Sequence, residues 1–169
     1  MKLTATIFFS ILSIALSAHE HREHGAHQHG AGKMGIAFDG KSGKIDFKIP
    51  SDSIFGFEHE VRSAAEKNKK AEGLKRLESK ISDMIVFEKS LNCVITSEKI
   101  EVIQEKKSSH SDTSASFNVN CDKSPAGTDL TFNIQTVFPK IKDLDVDIVV
   151  DSLQKSVEAK VPNTKLSLK

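Results

Sequence analysis

From Lys33 onward, apolar residues fall at every second position in one stretch after another, and no other feature of the chain constrains its fold so strongly. Met34, Ile36 and Phe38 alternate with small or polar residues, Asp39-Gly40 and Ser42-Gly43 mark a turn, and Ile45, Phe47 and Ile49 alternate again up to Pro50. This is the pattern of a β-hairpin whose Phe and Ile side chains face one way. Beyond residue 90 the pattern recurs in Cys93 and Ile95, in Ile100 and Val102, and in Ala115, Phe117, Val119 and Cys121. It continues through Leu130, Phe132, Ile134 and Thr136, then Leu144, Val146, Ile148 and Val150, then Val157, Ala159 and Val161, with Leu166 and Leu168 to close the sheet. A period of two belongs to strands with one buried face. Short turns between them, such as Pro125-Ala126-Gly127, predict an antiparallel meander or sandwich and not a parallel α/β sheet. Trp and Tyr are absent, so the core must be built from Phe, Ile, Leu and Val.

One stretch departs from this period. Ala64, Ala65, Ala71, Leu74, Leu77 and Ile81 recur at spacings of three and four, which predicts one main helix over about 62–84. Ser63, with Glu66 three residues on, is placed to cap it. Gly73 weakens its middle and marks a candidate break. Residues 50–60 read as a linker of polar and aromatic residues. The expected fold class is therefore α+β, predominantly antiparallel β with one main helix, in a single β-rich domain over 33–169.

The chain opens differently. Lys2 precedes an apolar run from Leu3 to Leu16, and small residues follow at Ser17 and Ala18. That is the three-part pattern of a secretory signal peptide, expected over 1–18, with cleavage after Ser17 or Ala18. Glu20 and His21 follow at once, so no stop-transfer flank is present and no stable membrane insertion is expected after cleavage. The formal charge is +1 and the charges are interspersed, which argues against nucleic acid or an anionic membrane as partner. Export permits a disulfide between Cys93 and Cys121, the two cysteines of the chain. The alternatives are two buried thiols or a dithiol metal site.

Residues 19–32 have no apolar periodicity and read as a flexible arm. Five of the seven histidines lie here, at His19, His21, His24, His27 and His29. Glu20 and Glu23 add carboxylate oxygens. Neutral imidazole suits zinc, copper and nickel, whereas calcium and magnesium want more oxygen ligands than the arm offers. Zn²⁺ is the favoured ion, with Cu²⁺ and Ni²⁺ as alternatives. Cleavage after Ala18 would make His21 the third residue, and the new amino group, two amides and that imidazole could hold copper or nickel in a square plane. The arm does not suit catalysis, which needs fixed ligands around a protected open position.

A second candidate set lies within the β-rich region. Glu58 and His59 stand between the hairpin and the helix, and His110 and Asp112 stand in the polar loop between two strands. Brought together by the fold, they would make a mixed nitrogen and oxygen metal site. Packing beside Phe57 accounts equally for His59, and solvation accounts for His110. No HExxH, CxxC, phosphate loop or nucleophile elbow occurs, so the residues give no support to enzyme chemistry.

In combination, the histidine-rich start, Phe55-Gly56-Phe57-Glu58-His59, Cys93, His110 ahead of Phe117 and Cys121, and Val137-Phe138-Pro139 resemble the ZrgA-type periplasmic zinc-binding proteins. The resemblance spans nearly the whole chain after the leader. It implies a periplasmic protein, secreted through the inner membrane, that captures Zn²⁺ and assists its uptake, with zinc importer components as partners. It also implies that His59 and His110 matter. The loop before strand residues 115–121 holds only His110, where relatives can carry a longer histidine-rich insert, so a lower zinc capacity is expected here. Two other readings compete with uptake. One is a periplasmic metal buffer or resistance protein for copper, nickel or zinc, and the other is an exported β-rich interaction module with incidental metal binding.

Overall fold

The computed structural model describes residues 30–104, 106 and 108–169. The leader and the histidines of the arm lie outside the described residues. The described chain is α+β and mostly antiparallel, with one long helix.

The expected hairpin is present, as β1 (Ala31–Asp39) and β2 (Ser42–Pro50). Its alternation is realised without exception: Met34, Ile36, Phe38, Ile45, Phe47 and Ile49 are all buried. The strand starts at Ala31, so the last two residues read as arm, Ala31 and Gly32, belong to the sheet.

The region read as a linker contains a helix, α1 (Ser51–Phe55). Pro50 precedes it and Gly56 ends it in the left-handed conformation, at φ 98°. Five residues are too few to display a helical period, which is why the pattern hid it. The long helix, α2 (Ala64–Ser79), is shorter than expected. Ser63 caps it as foreseen, accepting a hydrogen bond from Glu66 N–H, while Glu66 Oε2 accepts from Arg62 N–H. The break falls at Lys80, not at Gly73, and a separate turn, α3 (Ile81–Met84), follows. Ala64, Ala65 and Ala71 are exposed, contrary to the expected apolar face; only Gly73 and Leu77 of α2 are buried. Gly73 has a packing role. A Cβ there would meet the Ile54 carbonyl oxygen at 2.7 Å and Phe55 Cβ at 2.8 Å, so its absence lets α2 lie close against α1.

The remaining strands are β3 (Ile85–Val86), β4 (Val94–Gln104), β5 (Ser111–Asn120), β6 (Asp129–Phe132), β7 (Asp143–Val150), β8 (Leu153–Glu158) and β9 (Thr164–Ser167). The stretch expected to continue as strand to Thr136 stops at Phe132, and Ile134–Val137 forms a short helix, α4. Val161 lies in no strand and is exposed.

Six strands form one sheet in the order β4-β5-β2-β1-β7-β8, and β3-β6-β9 form a second. The arrangement is not a simple meander. β1 pairs β7 in parallel, from Ala31 beside Asp143 to Phe38 beside Val150, so the first hairpin is joined by a strand about a hundred residues further along the chain. Inward residues of β1, β2, β5 and β7 join Ile85, Leu130, Phe132 and Leu168 in one continuous apolar cluster. The outward face of the same strands carries Lys33, Lys44, Asp46, Lys48, Asp145 and Asp147.

Cys93 and Cys121 are joined, with an S–S distance of 2.02 Å. Each lies one residue beyond the Val94–Asn120 pair, so the bond ties the open end of the β4–β5 hairpin.

Candidate functional site

The registers align five strand ends at the opposite end of the large sheet. Asp112 of β5 pairs with Ile103 of β4 on one side and Pro50 of β2 on the other. Continuing the β1–β2 register from Lys33 beside Lys48 sets Ala31 beside Pro50, and Ala31 pairs Asp143 of β7. The loop bearing His110 enters β5 here, the turn into α1 leaves β2 here, and the N-terminal segment arrives here at β1.

This end is chemically unlike the rest of the interior. The buried polar or charged side chains among the described residues are Ser51, Ser53, Glu58, Ser111, Asp112 and Thr113. All lie in 51–58 or 111–113, the two segments that the Pro50–Asp112 pairing joins. Buried polar groups are costly unless bonded, so their concentration at one place calls for internal partners. The Ser51 and Thr113 hydroxyls meet at 3.0 Å, and Asp112 Oδ2 lies 3.2 Å from Lys48 Nζ.

Glu58 carries the central contact. Its carboxylate is 7% exposed, and Oε2 stands 2.5 Å from His110 Nδ1. The tertiary structure therefore joins two of the four candidate residues across a sequence separation of 52. The other two take separate partners. His59 stacks on Phe57 with ring centroids 5.0 Å apart, donates from Nδ1 to the Glu60 carbonyl oxygen at 2.8 Å, and places Nε2 3.8 Å from Glu66 Oε1. Asp112 is held by Lys48. Among the described residues, no group of three or more His, Cys, Asp or Glu side chains is disposed to hold a metal ion. The pair of cysteines is a disulfide, which removes the dithiol alternative.

The chemistry of the pair is specific even so. A buried carboxylate accepting from one imidazole nitrogen fixes the tautomer and the ring orientation, and leaves Nε2 as the nitrogen a metal would take. The His110 ring is less buried than its partner, with 42% of its side chain exposed. At the flank of the same sheet end, Lys160 pairs with Asp143, and its ammonium is held above the ordinary lysine range by the hydrogen bond it donates to Glu158 and by the Asp143 charge.

Sequence reasoning missed Ser51, Ser53, Ser111 and Thr113 as part of this polar end. A signal existed in Ser51 and Ser53, polar residues that directly follow a fully apolar strand face, but it has meaning only once α1 is known. Five arm histidines, His19, His21, His24, His27 and His29, lie outside the described residues.

The described chain is thus a disulfide-closed β domain that places its buried polar groups, and a carboxylate–imidazole pair, at the sheet end where the N-terminal segment joins it. The model of the family described as ZrgA family zinc uptake protein matches residues 26–168, and the chain belongs to that family. It is a zinc uptake protein. No curated protein matches the chain. The family match covers every described residue but Lys169, together with His27 and His29, and begins after His19, His21 and His24. No described helix is long and apolar enough to cross a membrane.

Proposed function

We propose that this protein works in the periplasm, where it captures Zn²⁺ and passes it to components of a zinc importer. The leader over 1–18 would bring it there. The arm histidines His19, His21, His24, His27 and His29 would gather the ion, since clustered neutral imidazoles suit a borderline divalent metal. The folded domain would contribute through Glu58, His59, His110 and Asp112, with His110 the direct ligand and Glu58 holding its ring.

The observation that supports this most is the buried Glu58 carboxylate at 2.5 Å from His110 Nδ1. A solvated loop histidine has no need of a buried carboxylate, whereas a carboxylate bonded to the far ring nitrogen raises the basicity of a metal-binding imidazole. Zinc titration of the protein beginning at His19, compared with the same protein lacking 19–29 and with His110→Ala, tests the reading. Weaker binding is expected in both variants. Affinity unchanged in both would remove the arm and the Glu58–His110 pair together.

A further inference from the structure

We propose, on the footing of the zinc-capture reading above, that His59 takes zinc together with Glu66, at a position of its own apart from the Glu58–His110 pair. Glu66 is the new member. It stands in the first turn of α2, seven residues beyond His59, and the chain between them turns so that His59 Nε2 lies 3.8 Å from Glu66 Oε1.

Both side chains are held from behind. Glu66 N–H donates to Ser63 Oγ at 3.1 Å, and Glu66 Oε2 accepts from Arg62 N–H at 2.7 Å. The helix cap thus uses one carboxylate oxygen and leaves Oε1 toward the histidine. The His59 ring lies on Phe57 with its plane inclined by 24°, and Nδ1 donates to the Glu60 carbonyl oxygen at 2.8 Å. A metal-binding histidine is commonly oriented by such a bond from its other ring nitrogen to a backbone carbonyl.

That bond settles the tautomer. A carbonyl oxygen can only accept, so Nδ1 carries the hydrogen, and in the neutral ring Nε2 has a lone pair. Nε2 and Oε1 are then two acceptors with no donor between them, at a distance too long for a direct hydrogen bond. Either a proton on Nε2 or a cation can join them. Zinc bonds of about 2.0–2.1 Å to nitrogen and about 2.0–2.2 Å to carboxylate oxygen let one ion touch both atoms without moving either side chain. The side chains are 28% and 26% exposed, so an ion can reach them from solvent.

The position is separate from the one at His110. Among the described residues no three His, Cys, Asp or Glu side chains converge, so the two pairs do not merge into one cluster. Two protein ligands leave the remaining tetrahedral positions to water or to donor groups of a receiving protein. An ion held this way is loosely bound and exchangeable, which suits a carrier that hands its zinc on.

The test is a Zn²⁺ titration of the protein beginning at His19, followed at the ring nitrogens of each histidine by long-range ¹H–¹⁵N correlation spectra. These report His59 apart from the arm. The His59 Nε2 resonance should move on adding zinc. Glu66→Gln, whose amide oxygen can still accept from Arg62 N–H, should raise the zinc concentration at which His59 responds by about tenfold or more. His110 should stay within about twofold of its own midpoint. Ser63→Ala removes the cap and not the ligand. It should lower the thermal midpoint by a few degrees and leave the His59 response in place. A His59 ring unmoved by zinc that moves His110, or a midpoint unchanged in Glu66→Gln, would overturn the proposal. Equal weakening of His59 and His110 by Glu66→Gln would overturn the separate position. Weakening by Ser63→Ala as large as that by Glu66→Gln would reduce Glu66 to a capping residue. No response at any histidine would remove the zinc-capture reading itself.

Discussion

The β4–β5 hairpin is closed differently at its two ends. At one end Cys93 and Cys121 are joined covalently, beside the buried apolar residues Leu91 and Val119. At the other, Glu58 meets His110, Asp112 meets Lys48, and Ser51 meets Thr113. The first end is closed by a covalent bond and, among the described residues, buries no polar or charged side chain. The second gathers buried polar groups, whose burial costs free energy unless they find partners. The edge strand β4 pairs only β5 within its sheet, so the disulfide holds in register the hairpin whose far loop carries His110.

Perturbing each end separately tests this division. Replacing both cysteines by Ser should destabilise the domain by about 3 kcal/mol, read from urea unfolding. Zinc affinity of the molecules that remain folded should change little; a loss as large as that from His110→Ala would mean that the two ends are not separable. Acid should act at the polar end. Between pH 7.5 and 5.5, zinc affinity should fall by about tenfold for each arm imidazole engaged, because protonated imidazole cannot ligate. A competition titration at the two pH values checks this, and a flat response would exclude histidine ligation. Glu58→Gln keeps the size of the side chain but removes its charge, and should weaken zinc binding by roughly tenfold to a hundredfold. Ser51→Ala is the smallest change. It leaves the Thr113 hydroxyl without its partner and should cost about 1 kcal/mol of stability.

How much of this was legible in the sequence differs between the same two regions. The β1–β2 hairpin and β5 could be read directly, because Phe47, Phe117 and Val119 announce a buried face by simple alternation. Alternation says which face of a strand is inside, but not which strand lies beside it. Hence the parallel β1–β7 pair, made between segments about a hundred residues apart, left no local trace. Short helices were equally hidden. Ser51–Phe55 and Ile134–Val137 are too brief for a helical period, and Ile134 continued an alternation that the chain abandons after Phe132. Gly73 looked like a weak point because propensity counts only the local cost; its value lies in the contact with Ile54 and Phe55.

At the candidate site, the sequence supplied the residue types and the fold supplied the pairing. Glu58 and His59 are neighbours with equal chemical claims, yet the chain turns Glu58 toward His110 and His59 onto Phe57. Nothing in the local sequence distinguishes the two. The arm histidines were conspicuous from composition alone, and the register of β1 adds where they join the folded domain.

The central claim is that zinc engages the polar end of the sheet and not the disulfide end. Amide chemical-shift mapping of the protein beginning at His19, during addition of one equivalent of Zn²⁺, tests it most directly. The account predicts that the largest shifts fall at residues 27–32, 51–59 and 108–113, with little change at Cys93 and Cys121. Shifts confined to residues 19–29, or centred on the disulfide end, would contradict it.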